Sequence, residues 1–397
     1  MANVSSSNGL EKYPKLRFPQ FSNAYTKAVL GDVFEYERPD AYIVSSEQYS
    51  DIYPTSVLTA NQAFILGYTN EEHGIYNKGE VILFDDFTCD TKFANFPFKV
   101  KSSAMKLLRT KNGIPISYAY ELLRYINYKP EGHARHWISI MQPLEVWLPQ
   151  IDEQMKVGEF LAKITEKIDK QKSLIELLKK YKRGVSDQLF EQVKGISTQL
   201  AFSSVFVLLQ NNTFSRDLLT TEKTEIQNIH YGDVLIKYGS SVNADSDEIP
   251  YIKNDAEIGR FEHNSYLVSG DIVLADTAED YTVGKATEII NLTNKKILSG
   301  LHTIPCRPIM SFAPMFLGYY LNSSSFRKQL IPLIQGTKVS SIGKAQLMKT
   351  TLHIPPLDDQ KRIANLLHTL DIKINLLTAT VEQMKLLKSA MIQQLFI

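Results

Sequence analysis

The sequence predicts an α+β protein with two tandem modules, each a globular domain that is followed by a long helix. At 397 residues the chain exceeds the usual size of a single hydrophobic core, so two domains are expected. A segment that starts at Val146 matches a segment that starts at Leu352. Strings typical of strands and short helices precede both segments. These three observations indicate one structural unit that is used twice.

The repeated segments align without gaps at an offset of 206 residues, from Pro149 and Pro355 to Phe190 and Phe396. Apolar residues recur in both segments at alternating spacings of four and three, which is the seam pattern of a coiled coil. An acidic residue stands in the first turn after each proline, as is favourable at a helix N-terminus. The spacing therefore predicts two helices of about 37 residues, each roughly 55 Å long at about 1.5 Å per residue.

We expect the two seams to bury each other in an intramolecular antiparallel coiled coil, which would relate the two halves by pseudo-two-fold symmetry. The alternative is that each helix lies along its own module. The predicted seam consists of Val157, Leu161, Ile164, Ile168, Ile175, Leu178, Ile363, Leu367, Leu370, Ile374, Leu377, Val381 and Met384.

The modules in front of the helices share weaker features. GEVILFDDF from Gly79 resembles GDIVLADTA from Gly270, and both are typical of an apolar strand after a turn glycine. SYAYELLRYIN, which ends at Asn127, and APMFLGYYLN, which ends at Asn322, predict short amphipathic helices. KFANFPFKVKSSAMKLL from Lys92 predicts short alternating strands. Each module is therefore expected to be α+β.

Composition limits the function classes. The net charge is +1 and 44% of the residues are hydrophobic, which is ordinary for a globular protein. No apolar run approaches the length of a membrane span, and the polar start of the chain does not resemble a signal peptide. Cys89 and Cys306 lie far apart without metal-ligand spacing, so a reducing cytoplasm is the expected location. Residues 1–12 are predicted to be a disordered lead-in.

Charge is distributed in blocks along each module. Residues 31–91 hold twelve acids and two bases, whereas residues 92–120 hold six bases and no acid. Residues 217–280 hold fourteen acids and four bases, and residues 281–349 hold nine bases and one acid. A basic face on each module would neutralise nucleic-acid phosphates; the alternative is that the blocks mix on the folded surface. The candidate DNA contacts are Lys92, Lys101, Arg109, Lys111, Arg135, His136, Lys237, Tyr238, Ser240, Ser241, Lys285, Lys338 and Ser340.

Motifs for catalysis are weak. GTKVSSIGKA from Gly336 lacks the glycine spacing of a P-loop, and no glycine-rich loop for a dinucleotide or S-adenosylmethionine follows a strand. DDFTCDTK, from Asp85 to Lys92, resembles the acid-and-lysine pattern of a magnesium nuclease, but its carboxylates stand too close together. His133 and His136 have helical metal-ligand spacing without an evident third ligand. We therefore predict no catalytic residue and no metal site.

Several strings resemble the DNA-specificity subunit of type I restriction-modification enzymes. PKLRFPQF from Pro14 and LGDVF from Leu30 are similar to the usual start of that family. NTFSRDLLT and NIHYGDVLIKYG are similar to strings of its target-recognition domains. IDEQMKVGEFL, and GTKVSSIGKAQL followed by LHIPPLDDQKRIANLL, are similar to its central and distal conserved helices. Two departures stand out: HARHWISIMQPLEVWLP lacks the family's G-x-x-V turn, and LAFSSVFVLLQNN lacks a second LGD string.

The resemblance implies a non-catalytic subunit that selects the DNA sequence. Residues 13–150 and 195–356 would be the target-recognition domains, and residues 151–194 and 357–397 the spacer helices. Each domain would read one half of an asymmetric bipartite site in double-stranded DNA. Two modification subunits, which are adenine-N6 methyltransferases, would dock on the helices, and restriction subunits would join them. The chain itself would bind no cofactor; S-adenosylmethionine, ATP and Mg²⁺ would be used by the partner subunits.

Two other function hypotheses stay open from the sequence. The first is a coiled-coil scaffold without DNA readout, because the repeated helices alone are sufficient for a structural role. The second is a nuclease that uses the cluster from Asp85 to Lys92. Binding to duplex DNA separates the first hypothesis from sequence recognition, and metal-dependent cleavage by the isolated chain would support the second.

Overall fold

A computed structural model describes residues 13–60, 63–254, 261, 263–336 and 338–397. The lead-in that was predicted over residues 1–12 lies outside the described residues. The chain divides into two compact units: Met1–Ser173 together with Thr378–Ile397, and Leu174–Leu377. Both boundaries fall inside long helices, so each unit contains one module and parts of both helices. The predicted division at the helix ends follows the linear sequence and stays a prediction.

The first module is built mainly from short strands. Its strands are β1 (Thr26–Val29), β2 (Phe34–Glu37), β3 (Thr55–Leu58), β4 (Ile65–Thr69), β5 (Val81–Asp85), β6 (Thr91–Ala94), β7 (Phe98–Val100), β8 (Met105–Thr110) and β9 (Glu145–Leu148). Its helices are α1 (Leu30–Val33) and α2 (Ile116–Ile126), with a π-helical turn over Trp137–Met141, and the long helix α3 (Ile151–Gln192) follows. The strands form an antiparallel sheet in the order β2-β8-β5-β6, a sheet β4-β3-β7 and the pair β1-β9.

The core of the first unit joins the main sheet to the helices. Strand β5 is buried along its whole length, and the rings of Phe34 and Phe84 contact the fully buried Trp137 edge to face. Helix α2 ends at Asn127, whose left-handed backbone (φ 43°) caps it. The same cluster contains Val157 and Leu161 of α3, together with Ile392, Leu395 and Phe396 near the end of the chain.

The second module has more strands and more short helices than the first. Its strands are β10 (Thr198–Ala201), β11 (Phe206–Leu208), β12 (Leu219–Thr220), β13 (Ile226–Ile229), β14 (Ser241–Asn243), β15 (Tyr251–Ile252), β16 (Ile272–Ala275), β17 (Thr277–Ala278), β18 (Ala286–Ile290), β19 (Lys296–Ser299), β20 (Thr303–Pro308), β21 (Ser340–Ser341) and β22 (Thr351–Ile354). Its helices are α4 (Phe202–Val205), α5 (Tyr231–Ile236), α6 (Phe316–Asn322), α7 (Ser324–Leu330) and α8 (Lys344–Leu347), and the long helix α9 (Leu357–Leu395) follows.

Two sheets carry the second module, in the orders β11-β20-β16-β18-β14 and β12-β15-β13-β19. The pairs β10-β22 and β17-β21 stand apart from them. Its largest core cluster packs α6 and α7 against the long helices: Phe190 of α3 contacts Phe316 and Tyr320 of α6, and Ile363 and Leu367 of α9 belong to the same cluster.

Within each unit, the segments of the two long helices run antiparallel. In the first unit, Tyr25 contacts both Glu153 near the start of α3 and Leu395 near the end of α9, whereas Thr165 of α3 contacts Lys388. In the second unit, Val185 and Leu189 of α3 pack in the cluster of Ile363 and Leu367, whereas Lys182 pairs with Asp371. The predicted architecture of two α+β modules, each followed by a long helix, is confirmed.

The long helices are slightly longer than predicted, with 42 residues in α3 and 39 in α9. Both helices mix apolar and charged residues along their length. Among the described residues, no helix is long and apolar enough to cross a membrane.

Candidate nucleic-acid interface

Each module begins and ends on a pair of antiparallel strands beside a long helix. In the first unit β1 pairs with β9, with Thr26 opposite Leu148. In the second unit β10 pairs with β22, with Thr198 opposite Ile354. Helices α3 and α9 each begin three residues after the closing strand. The module is therefore an insertion whose two ends are held together at the start of a helix.

Equivalent buried glutamines fix the two helix starts. Gln154 Nε2 donates to Pro149 O at 2.8 Å, and Gln360 Nε2 donates to Pro355 O at 2.9 Å. The side-chain oxygen of Gln360 also accepts from the backbone N–H of Ala313 at 3.0 Å, which ties α9 to the residues before α6. Because all three hydrogen bonds are buried, breaking one would leave a polar group unsatisfied. These bonds hold each helix start against the proline before it, and the bond from Ala313 also holds the start of α9 against its module.

The basic late block of the first module pairs in large part with its acidic early block. Strand β8 runs antiparallel to β2, which sets Arg109 opposite Glu35 in an ion pair of 3.1 Å. A parallel bridge between Ile43 and Val100, at the end of β7, brings the following residue Lys101 close to Glu47, with which it forms an ion pair. Both pairs are solvent-exposed and so contribute little stability. A phosphate that contacts either cation must therefore compete with a carboxylate.

The other predicted contacts of the first module lie in different surroundings. Lys92 is half-buried and lines a cleft with Arg124 and Lys129. Lys111 Nζ donates to Gly31 O at 2.8 Å. Arg135 is exposed and lies 3.6 Å from Asp86 Oδ2. The neighbouring His136 is buried, and its Nδ1 lies 3.2 Å from Asp86 O.

The predicted contacts of the second module form two groups. The first group surrounds the end of α5: Lys285 Nζ donates to Leu235 O at 2.8 Å, and burial lowers the pKa of this lysine. Tyr238 is buried, which raises its pKa. In the same group, Lys237 Nζ donates to Glu248 O; Ser240 O accepts from the N–H of Glu288 at 3.0 Å, and Ser241 of β14 lies opposite Glu288 of β18.

The second group lies before α8. Lys338 is exposed, and Ser340 is half-buried in β21, where it stands opposite Ala278 of β17. Sequence reasoning therefore selected residues that range from an exposed lysine to buried side chains such as Tyr238 and His136. Which of them contact DNA stays a prediction.

All thirteen predicted seam residues are buried or half-buried. Val157, Leu161, Ile363 and Leu367 are at most 1% exposed. Adjacent positions on the same helices are exposed, such as Leu366 at 44%. The spacing of four and three thus coincides with the face of each helix that is turned away from solvent.

Sequence reasoning missed two lysines on the seam side of the helices. Lys182 and Lys388 occupy equivalent positions of the repeat. Lys182 pairs with Asp371 at 2.5 Å, whereas Lys388 pairs with Glu121 of α2 at 2.6 Å. Their positions continue the seam spacing beyond Leu178 and Met384, so a polar residue in register with the seam was the available signal.

The clusters considered for catalysis are occupied by structural hydrogen bonds. Asp85 Oδ1 accepts from the backbone N–H groups of Phe87 and Thr88, both at 2.9 Å. Burial raises the pKa of the Cys89 thiol to about 12, which leaves it a protonated, weak nucleophile at neutral pH. Among the described residues no group of three or more His, Cys, Asp or Glu side chains could hold a metal ion.

Comparison with known proteins matches this chain to one family. Residues 220–386 match a family model described as the type I restriction modification DNA specificity domain. The type I restriction enzyme EcoR124I/EcoR124II specificity subunit of Escherichia coli is 26% identical over 387 residues, covering 88% of this chain and 87% of that protein. The MjaVIII specificity subunit of Methanocaldococcus jannaschii is 24% identical over 340 residues, covering 80% and 78%.

Solved structures share the fold over nearly the whole chain. The crystal structure of the S subunit of a type I restriction-modification system from M. genitalium superposes with a TM-score of 0.60 at 13% identity, covering 97% of this chain and 99% of that chain. A chain from a study of complex assembly and conformational transition of the type I system gives a TM-score of 0.50 at 14% identity, covering 93% and 96%.

Proposed function

We propose that this chain, which belongs to the family of type I restriction-modification DNA specificity subunits, selects the bipartite DNA sequence on which its own enzyme acts. The observation that carries the proposal is the pair of modules, each inserted at the start of a long helix. Two modules, each joined to a copy of the repeated helix, provide two separate reading surfaces on one chain. Chemistry on the DNA would belong to other subunits.

The two modules support an asymmetric target. The second module has the longer chain between its base strands, residues 198–354 against 26–148. Its two main sheets each have one strand more than the matching sheet of the first module: β11-β20-β16-β18 has the antiparallel order of β2-β8-β5-β6 and adds β14, and β15-β13-β19 has the order of β4-β3-β7 and adds β12. Surfaces that differ in this way read different half-sites, because base contacts depend on the positions of individual side chains.

The exposed faces of the long helices support partner docking. Leu386 and Leu387 of α9, both in the first unit, are 72% and 55% exposed. Apolar side chains on an exposed helix face mark a protein interaction surface when they occur together. We assign this surface to the modification subunits, which would bring S-adenosylmethionine. Restriction subunits would add ATP- and Mg²⁺-dependent steps, and the assembled enzyme would work on DNA in the cytoplasm.

The test is methylome sequencing of cells that express this chain with its modification partner. The expected result is adenine methylation at one asymmetric sequence with two half-sites and a fixed spacer. Exchange of the second module for that of a relative should change one half-site and leave the other unchanged. Methylation without sequence preference would contradict the proposal. Failure to bind any duplex, even with the partner present at low salt, would instead favour a scaffold role.

A further inference from the structure

We propose that a cleft in the first module holds one backbone phosphate of the DNA. We call it the Asp86 cleft; it has a volume of about 460 Å³, and its charged and hydroxyl lining includes Arg38, Asp40, Asp86, Ser103, Lys106 and Arg135. The proposal rests on the DNA-binding function proposed above and names a part of the DNA and the residues that hold it. Arg38, Ser103 and Lys106 were not among the contacts predicted from sequence.

Backbone hydrogen bonds hold the buried Asp86 of the cleft in place. Asp86 is 2% exposed, and its Oδ1 accepts from the backbone N–H groups of His136 at 3.1 Å and Trp137 at 2.8 Å. Asp86 N donates to Ala104 O at 2.8 Å, which ties Asp86 to the residue just before β8. Because Trp137 is also fully buried, Arg135 is anchored through the two residues that follow it.

The cations of the Asp86 cleft outnumber its carboxylates. Asp86 Oδ2 faces both Lys106 Nζ at 3.3 Å and Arg135 Nη1 at 3.6 Å, so one carboxylate oxygen serves two cations. The Lys106 side chain is only 5% exposed, and burial of a charge is costly unless it is balanced. Arg38 is a third cation, for which no ion pair is present within the described part of the chain, and Asp40 is the second carboxylate. The lining therefore carries one excess positive charge.

A phosphodiester fits this charge and shape. It carries a single negative charge, and its oxygens accept from guanidinium and ammonium groups in charge-assisted hydrogen bonds. Arg135 lines the cleft and its side chain is 51% exposed, so it can donate to a phosphate in solution while Lys106, at 5% exposure, stays against Asp86. Ile138, 59% exposed beside it, offers an apolar surface for the deoxyribose. The rest of the polymer would remain outside.

A second cleft in the same unit provides the contrast. It is lined by Lys92, Arg124 and Lys129 with Asp90, and it is thus also rich in cations. These cations are exposed or half-buried. Arg124 pairs with the buried carboxylate of Glu121 at 3.1 Å, whereas Lys92 and Lys129 have no ion pair among the described residues. Lys129 is therefore a matched control: it is an exposed cation that lines a cleft of the same unit and, among the described residues, has no buried carboxylate as an ion-pair partner.

The experiment measures DNA binding by the full chain with its modification partner, over a range of salt concentrations. One duplex carries the target sequence identified by methylome sequencing, and the other carries a scrambled sequence. Arg135→Ala should weaken binding to both duplexes by about tenfold, because a phosphate contact carries no sequence information. The slope of log K against log salt should fall by about 0.9, the value for one neutralised phosphate. Arg135→Lys should keep the slope, and Lys129→Ala should change neither quantity.

The phosphate itself is located by neutral methylphosphonate substitutions, placed one at a time in the target duplex. One position should weaken binding of the wild-type chain and have no further effect on the Arg135→Ala chain. Lys106→Met should show the same insensitivity at that position. If the wild-type chain binds with a salt slope that Arg135→Ala leaves unchanged, or if the variant loses affinity for the target duplex alone, the cleft does not hold a phosphate. If the wild-type chain binds neither duplex, the DNA-binding function itself is wrong.

Discussion

The buried ion pair between Glu121 of α2 and Lys388 of α9 predicts which of two single substitutions destabilises the protein more. Lys388 Nζ lies 2.6 Å from Glu121 Oε1, and both side chains are 3% exposed. Arg124 Nη1 lies 3.1 Å from Glu121 Oε2 and is 40% exposed. Lys388 Nζ also donates to the neutral hydroxyl of Thr165, at 2.5 Å. Burial lowers the pKa of Lys388, and Glu121 opposes that shift. Glu121 therefore has a second cation as a partner, whereas the second hydrogen-bond partner of Lys388 is neutral.

Removing the carboxylate should cost more than removing the lysine. Glu121→Leu leaves the buried ammonium without its ion-pair partner and with the Thr165 hydroxyl as its hydrogen-bond acceptor. An unpaired buried charge costs about 3–5 kcal/mol of unfolding free energy. Lys388→Met leaves Glu121 with Arg124, so we expect about half of that cost, on the order of 2 kcal/mol. The double variant should lie close to the wild type, because an apolar pair replaces the charged pair without leaving either partner alone.

Amide hydrogen exchange of the full chain measures these losses of stability at the peptides around the ion pair. Peptides that cover α2 and the last turns of α9 should exchange fastest in Glu121→Leu, more slowly in Lys388→Met and near the wild-type rate in the double variant. Lys385→Met is the control, because its ion pair with Glu382 is exposed on the same helix and should be worth less than about 1 kcal/mol. Equal exchange in the two single variants, or a double variant worse than both, would refute the reasoning.

Two further predictions concern the second unit. Leu367→Asp puts a charge at a fully buried seam position and should lower the unfolding free energy by roughly 4 kcal/mol or more. Leu366→Asp, at a position that is 44% exposed, should leave it nearly unchanged. Denaturation and methylation assays compare the two variants. Burial raises the pKa of Glu288 to about 7 from 4.5, so the folded state holds this proton more tightly than the unfolded state. Stability should therefore fall as pH rises from about 4.5 to about 7, by roughly 3 kcal/mol relative to Glu288→Gln, and pH-dependent unfolding of both proteins would detect it; parallel profiles would contradict the assignment.

Local patterns predicted the elements that depend on local chemistry. GEVILFDDF and GDIVLADTA became strands β5 and β16, and the short amphipathic strings became α2 and α6. Asn127 caps α2 in the left-handed conformation that asparagine tolerates. The helices α3 and α9 followed from a spacing sustained over many turns, which few alternative structures satisfy.

Features that depend on distant residues could not be predicted in this way. Glu121 and Lys388 are separated by 267 residues, and nothing in either local sequence marks the other as its partner. The basic and acidic blocks were visible, but strand pairing decides which members neutralise each other, as with Arg109 and Glu35. The Asp86 cleft likewise depends on a turn at Arg135 folding back onto the end of β5.

The two repeat-equivalent lysines show how one helix repeat supports two different modules. In the second unit Lys182 takes its carboxylate from the other helix, at Asp371, which also accepts from Tyr319 Oη of α6 at 2.8 Å. In the first unit the position equivalent to Asp371 is Thr165, and the carboxylate comes from α2 of the module instead. The helix pair thus keeps the lysine in both units, but the carboxylate that neutralises it comes from the other helix in the second unit and from the module in the first. A module exchanged between the two positions would bring the wrong partner to that lysine, so exchange should succeed only where the module and its helix-facing charge move together.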